Sequence, residues 1–265
     1  RMAGRRPAPL WINLEYLSAE PYVERSHGLP SPQSSGPGAG LLKWFFYPGF
    51  TAHTGGLIRE PGLLQRRQAF DAAAWLASRR IVRRPGEHVI SLFCYENPAL
   101  PALLDALTDA PTLLLATVGH ASSQVAAVLG APMARGALRA VTLPHLTQLD
   151  FDHLLWSADL NLVRGEDSFV RAQWAGVPFL WHAYPQHDGA HQAKLDAFLT
   201  RHFEGASGDW VQHCRALWMR WNGGTGALQL PPLEPWRAHC QAWCEQLAAH
   251  QDLGTQLLSF AREKS

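Results

Sequence analysis

The chain has 265 residues, 47% hydrophobic and 17% charged, enough to bury one large core or two smaller ones, since domains run to about 100 to 200 residues. A formal net charge of +1 supplies no basic field for nucleic acid or an anionic membrane, and no apolar run approaches the roughly 20 residues that span a bilayer. Cys94, Cys214, Cys240 and Cys244 form no CxxC pair, and Cys240 with Cys244, one helical turn apart, suits a buried apolar stripe better than a disulfide framework, which fits a reducing cytoplasm.

At the start of the chain, Arg1, Arg5 and Arg6 read as a solvated end, and Leu10 to Tyr16 is too short and too polar for a signal-peptide core. Ser31 to Gly40, SPQSSGPGAG, has the composition of a flexible surface loop between two predicted strands. From His88, strands and helices alternate. HVISLFCY (88–95) is a strand, ALPALLDALTD (99–109) a helix, TLLLATV (112–118) a strand and SSQVAAVL (122–129) a helix. LRAVTL (138–143) follows as a strand and QLDFDHLLWSA (148–158) as a helix, before another strand at Leu160. Short, continuously apolar strands in such alternation predict a parallel sheet covered on both faces, with ligands beyond the carboxyl ends of the strands. Tyr95, Arg164 and Tyr184 all fall at predicted strand ends. The last segment, Pro235 to Ser265, is expected to be helical, with Trp236, Cys240, Trp243, Cys244 and Leu247 along one face.

Residues 159 to 186, DLNLVRGEDSFVRAQWAGVPFLWHAYPQ, are the most informative stretch. Leu160, Leu162 and Val163 read as a buried strand, Arg164-Gly165 as a turn, and Glu166, Asp167 and Ser168 as the start of a helix running to Ala175, with Gly176 at its end and Pro178 beyond. The unpaired N–H groups of that helix start form an anion site, and Arg164 at its mouth can hold a diphosphate in a forked hydrogen bond. Glu166, Asp167 and Ser168 equally suit a helix cap with no ligand. If a diphosphate binds, two nearby carboxylates repel it unless Arg164 neutralises it and they turn to sugar hydroxyls or a cationic acceptor.

Several motifs in one order, RGEDSFVRAQW with PFLWHAYPQ, SLFCYEN (Ser91 to Asn97), INLEYLSAE with ERSHGLPSPQ, and GGLIRE (Gly55 to Glu60), resemble the protein-arginine rhamnosyltransferases of elongation factor P over nearly the whole chain. The resemblance implies an α/β protein of the GT-B glycosyltransferase type with two Rossmann-like lobes. It places the remainder of an acceptor-side N-terminal lobe at residues 1–85, the nucleotide-sugar lobe at 86–234, and helices crossing back to the first lobe at 235–265. The implied reaction is inverting transfer of rhamnose from dTDP-β-L-rhamnose to an arginine of elongation factor P in the cytoplasm. No nucleic acid or membrane partner, cofactor or metal is implied.

On the same resemblance, Tyr95 contacts the donor, Phe151 packs on the thymine base, and the Tyr184-Pro185-Gln186 turn faces the nucleotide with neutral donors. Arg164, with the helix amides at Asp167 and Ser168, offsets the leaving-group charge, and Glu166 orients either the acceptor guanidine or a sugar hydroxyl. Read without the family, Tyr95 also suits a strand cap and Phe151 plain core. Asp150-Phe151-Asp152 spells a DxD, but both aspartates fall in the first turns of a helix, where acids are expected anyway, so it is a weak metal signal. The histidines, including His182, His187 and His191, show no metal-ligand spacing.

The family opens with a Gly- and Asp-bearing turn of the type DNYGDIG, thought to supply the catalytic carboxylate, and no such turn occurs here. The expectation is therefore a first lobe short by on the order of a hundred residues, at roughly 30 per βαβ unit, and a chain that binds donor without turnover. Part of the C-terminal apolar stripe is then expected to be exposed. Glu15, Glu20 and Glu166 are the carboxylates to test as a base within this sequence. Two alternatives are a fragment that binds dTDP or the elongation factor without catalysis and a sugar-nucleotide epimerase of the same architecture.

Overall fold

The computed structural model describes residues 4–185, 189–226 and 228–265. The chain divides into two compact units: Arg1–Pro61, Asp188–His202 and Glu245–Ser265 form one, and Gly62–His187 with Phe203–Cys244 the other.

The first unit begins with β1 (Trp11–Leu14), α1 (Pro21–Ser26), β2 (Pro30–Pro32) and β3 (Leu42–Phe46). β3 is central, parallel to β1 and antiparallel to β2. The loop expected from Ser31 therefore starts two residues later, since Ser31 and Pro32 pair with Lys43 and Leu42.

The second unit continues with α2 (Leu63–Gln68), α3 (Ala72–Ser78), β4 (His88–Leu92), α4 (Leu100–Ala106), β5 (Thr112–Thr117), α5 (His120–Leu129), β6 (Ala134–Arg135) and β7 (Leu138–Leu143). Then come α6 (Gln148–Ser157), β8 (Leu160–Arg164), α7 (Gly165–Ala175) and β9 (Phe179–His182). α8 (Ala190–His202) belongs to the first unit, and α9 (Asp209–Trp221), α10 (Leu233–Ala248) and α11 (Leu253–Lys264) complete the chain.

The six-stranded sheet of the second unit has the order β6-β7-β5-β4-β8-β9. Its five longer strands are parallel, as the alternating pattern predicts; β6 is a two-residue antiparallel edge strand, so the sheet is mixed rather than wholly parallel. All six residues of β5 are buried, the expected state of a strand covered on both faces. β4 ends at Leu92 and not at Tyr95, so 93–97 is a loop beyond the strand end. On one side of the sheet, Trp75 and Leu76 of α3 and Leu154 of α6 pack on Val89, Leu113, Leu115 and Leu143. β4 and β8 are also joined inside the core: Ser91 Oγ donates to Asn161 Oδ1 at 2.5 Å, and Asn161 Nδ2 donates to the Leu155 carbonyl at 3.0 Å.

The C-terminal segment is two helices, the second started by Asp252, which accepts from Thr255 N–H at 3.0 Å. Trp236, Cys240, Trp243, Cys244 and Leu247 are all buried, which corrects the expectation of an exposed stripe. The four cysteines are buried thiols, none of them in a disulfide. In the first unit, Phe260 of α11 lies edge-on to Phe46, with ring centroids 5.3 Å apart. Among the described residues no helix is long and apolar enough to cross a membrane.

Candidate active site

The five parallel strands lie in the order third, second, first, fourth, fifth, so the direction of winding reverses between β4 and β8. Loops leaving neighbouring strands there diverge, and in doubly wound sheets ligands occupy that crevice beyond the carboxyl ends. A cavity of about 590 Å³ opens at this place. Its walls come from the segments after four strands: Phe93 and Tyr95 after β4, Thr117 and Val118 at the end of β5, Pro144 to Gln148 after β7, and Arg164 to Ser168 after β8.

The β8–α7 turn is built by its own residues. Gly165 has φ of +67°, a conformation L side chains rarely adopt, and Trp181 Nε1 holds its carbonyl at 3.0 Å. α7 then runs from Gly165 to Ala175, and Gly176, also at φ +67°, ends it. Arg67 caps that end by donating to the Trp174 carbonyl at 2.6 Å. The first-turn N–H groups of α7 have no carbonyl four residues back within the helix and face the site with the positive end of its dipole.

Arg164 stands at that helix start. Its guanidinium lies 4.4 Å from the ring centre of Phe93 and 4.6 Å from that of Tyr95, between the two aromatic faces, and no carboxylate pairs with it among the described residues. Aromatic rings orient a guanidinium without cancelling its charge. Tyr95 is edge-on to Tyr184 at 5.3 Å, and Phe93 to Phe151 at 5.5 Å. The loop carrying Tyr95 is pinned by Gln124 of α5, which donates to the Tyr95 carbonyl at 3.1 Å and accepts from Asn97 N–H at 2.8 Å. Asn222 does the same for the strand end before Tyr184, accepting from Ala183 N–H and donating to the Trp181 carbonyl, both at 2.9 Å. Burial pushes the neighbouring Cys94 thiol up to about 12 despite the positive charge of Arg164, so Cys94 is inert packing.

Tyr95, Phe151, Arg164, Glu166, Asp167 and Ser168 thus meet at one cavity. Tyr184 does not line it; it is exposed and joins the site through Tyr95. Gln186 and His187 lie outside the described residues. The Ser168 hydroxyl donates to the Arg164 carbonyl four residues back, the same carbonyl that its backbone N–H meets as the first bond of the helix, so the amides left to the site are those of Gly165, Glu166 and Asp167 and not that of Ser168. Glu166 is exposed at the rim. Glu15 and Glu20 lie in the first unit, where Glu15 accepts from Asn13 and Glu20 from Ser18 Oγ at 2.9 Å.

The DxD does not act as a pair. Asp150 is bound by Arg79, while Asp152 is buried and accepts twice from Arg171 at 2.8 and 2.9 Å. Burial alone would raise the Asp150 carboxyl, but hydrogen bonds from Arg79, Thr147 and Trp75 outweigh it and hold the group below its ordinary value. Among the described residues, no group of three or more metal-ligating side chains forms. Phe93, His145, Gln148 and Arg171 are cavity residues that reading the sequence missed. Phe93 and His145 lie just beyond strand ends and Gln148 opens the helix that follows β7, usable signals, whereas nothing local marks Arg171.

The second unit is thus a doubly wound α/β unit that carries an arginine and a helix N-terminus at its switch point, an arrangement suited to an anion. The chain belongs to the EarP family, described as elongation factor P (EF-P) rhamnosyltransferases, whose family model matches residues 1–262. It is 45% identical to a protein-arginine rhamnosyltransferase of Pseudomonas aeruginosa and 46% identical to one of Pseudomonas putida. Each of those alignments covers 98% of this chain and 73% of the relative. A solved structure described as the structural basis for EarP-mediated arginine glycosylation of translation elongation factor EF-P superposes with a TM-score of 0.72 at 39% identity, covering 82% of this chain and 75% of that one.

Proposed function

We propose that the chain carries the donor site of an inverting GT-B glycosyltransferase that moves rhamnose from dTDP-β-L-rhamnose to an arginine of elongation factor P. The observation that carries this is Arg164, oriented by Phe93 and Tyr95, without a carboxylate partner among the described residues, at a helix N-terminus over the switch point. A diphosphate leaving group needs fixed positive charge that costs no reorganisation as the glycosidic C–O bond breaks, and that arrangement supplies it. Phe151 offers a face or edge to the thymine, and Tyr95 a hydroxyl to a phosphate or sugar oxygen.

In the proposed reaction a guanidine nitrogen attacks the anomeric carbon from the face opposite the diphosphate. dTDP departs with the bonding electron pair, and the nitrogen's proton passes to a carboxylate. A guanidinium with a pKa above about 12 needs that carboxylate close by, to orient it and take its proton. Glu166 at the rim suits orientation of the guanidine or of a sugar hydroxyl. The leaving-group charge is met by Arg164 and the helix amides, so the reading requires no metal or other cofactor. An acceptor that is a translation factor sets the reaction in the cytoplasm.

Calorimetric titration with dTDP, then mass spectrometry of elongation factor P incubated with the chain and dTDP-β-L-rhamnose, tests donor and acceptor separately. No dTDP binding would remove the donor reading. Binding without a deoxyhexose on arginine would keep the donor site and remove Glu15, Glu20 and Glu166 as candidates for the base.

A further inference from the structure

Asp167 stands beside the anion site, where its charge opposes a diphosphate. Arg171, one helical turn further along α7, answers that charge: its Nε lies 3.4 Å from Asp167 Oδ2. The same guanidinium is gripped from α6 by Asp152, with Nη1 at 2.8 and 2.9 Å from the two carboxylate oxygens, and both members of that pair are buried. Asp167 by contrast is 69% exposed and would be mobile if nothing held it. Arg171 thus stands between two carboxylates, Asp152 on α6 and Asp167 on its own helix, at the wall of the cavity.

We infer that Arg171, clamped by Asp152, is a positioning residue for the donor: it draws the Asp167 carboxylate back along α7 and offsets its charge, so that the helix N-terminus stays open to a diphosphate. This rests on the donor-site reading above and adds a residue that acts through Asp167 rather than on the ligand. The arrangement also gives a use to the second aspartate of the DxD. Asp152 fixes the arginine that shields the anion site, and its own charge is taken up by that arginine.

Removing Arg171 alone would strand a buried Asp152 charge, so the test replaces both with neutral hydrogen-bonding side chains, Asp152→Asn with Arg171→Gln, and checks the fold by thermal denaturation. Calorimetry then compares dTDP, thymidine and inorganic pyrophosphate. The double variant should lose roughly three- to tenfold in dTDP affinity, the scale of a close charge interaction at partial exposure, with thymidine affinity nearly unchanged. In an Asp167→Asn background the same double change should cost dTDP binding nothing, because the charge being shielded is gone. Equal losses for dTDP and thymidine, or a loss that persists in the Asp167→Asn background, would mean that the pair only supports the fold, and the inference falls. A wild-type chain that binds neither dTDP nor pyrophosphate overturns both the donor-site reading and the inference.

Discussion

The Arg164 guanidinium lies 4.6 Å from the ring centre of Tyr95, and the Tyr95 hydroxyl passes close enough to the β8–α7 turn that a Cβ on Gly165 would sit 3.4 Å from it. One aromatic side chain from the loop after β4 therefore shapes both elements of the anion site after β8. Arg164→Ala is expected to weaken dTDP binding by about 1.5 to 3 kcal/mol, the range for a hydrogen bond to a charged group. Tyr95→Leu, which leaves the charge but removes one of its two supports, should cost less. Calorimetry on both variants checks the order, and an unchanged affinity for Arg164→Ala would take Arg164 out of the site.

Because Asp150 is held by Arg79 and Asp152 by Arg171, the DxD has no free carboxylate pair to offer a divalent ion. dTDP affinity is expected to be the same in excess chelator as in magnesium or manganese. A dissociation constant that tightens tenfold or more on adding either metal would reinstate a metal on the diphosphate.

Gly176→Ala should destabilise the second unit twice over. The position has φ of +67°, which costs a non-glycine residue about 1 kcal/mol, and an added Cβ would lie 2.7 Å from Arg67 Nη1, the group that caps α7. Urea denaturation should show a loss of roughly 1 to 3 kcal/mol with an unchanged slope. A variant as stable as the parent would show that the helix end relaxes freely.

Acid should weaken the fold through Glu87. Hydrogen bonds from Arg139, at 2.5 and 2.7 Å, hold this buried carboxyl below its ordinary value of 4.5. A depressed folded-state value means that the unfolded chain takes up the proton first, so the stabilisation is full above about pH 4.5 and is lost as pH falls through the lower folded value. Glu87→Gln should lower stability at pH 7 and flatten its fall between pH 5 and pH 3, relative to the parent, by roughly 1 to 2 kcal/mol in urea melts. Identical pH profiles would assign the acid sensitivity to other carboxylates.

What the sequence by itself determined was everything written in local order: the strand-helix alternation from His88, the turn at Arg164-Gly165, the start of α7 to within one residue and its end before Gly176, and the placement of Tyr95 and Arg164 near strand ends. Such features depend on apolar spacing, on capping side chains and on glycine conformations that each residue settles with its close neighbours. Their chain order also matched the family, which local physics alone does not supply. Tertiary structure decided the rest. That Asp152 meets Arg171, that Phe93 lies against Arg164, and that Trp236 through Leu247 find cover depends on which strands become neighbours and on which helix faces then meet. The DxD illustrates the division: its spacing is legible in the chain, but whether two carboxylates face a metal or two arginines is set by partners 19 and 71 residues away, brought near only when the sheet has closed its order.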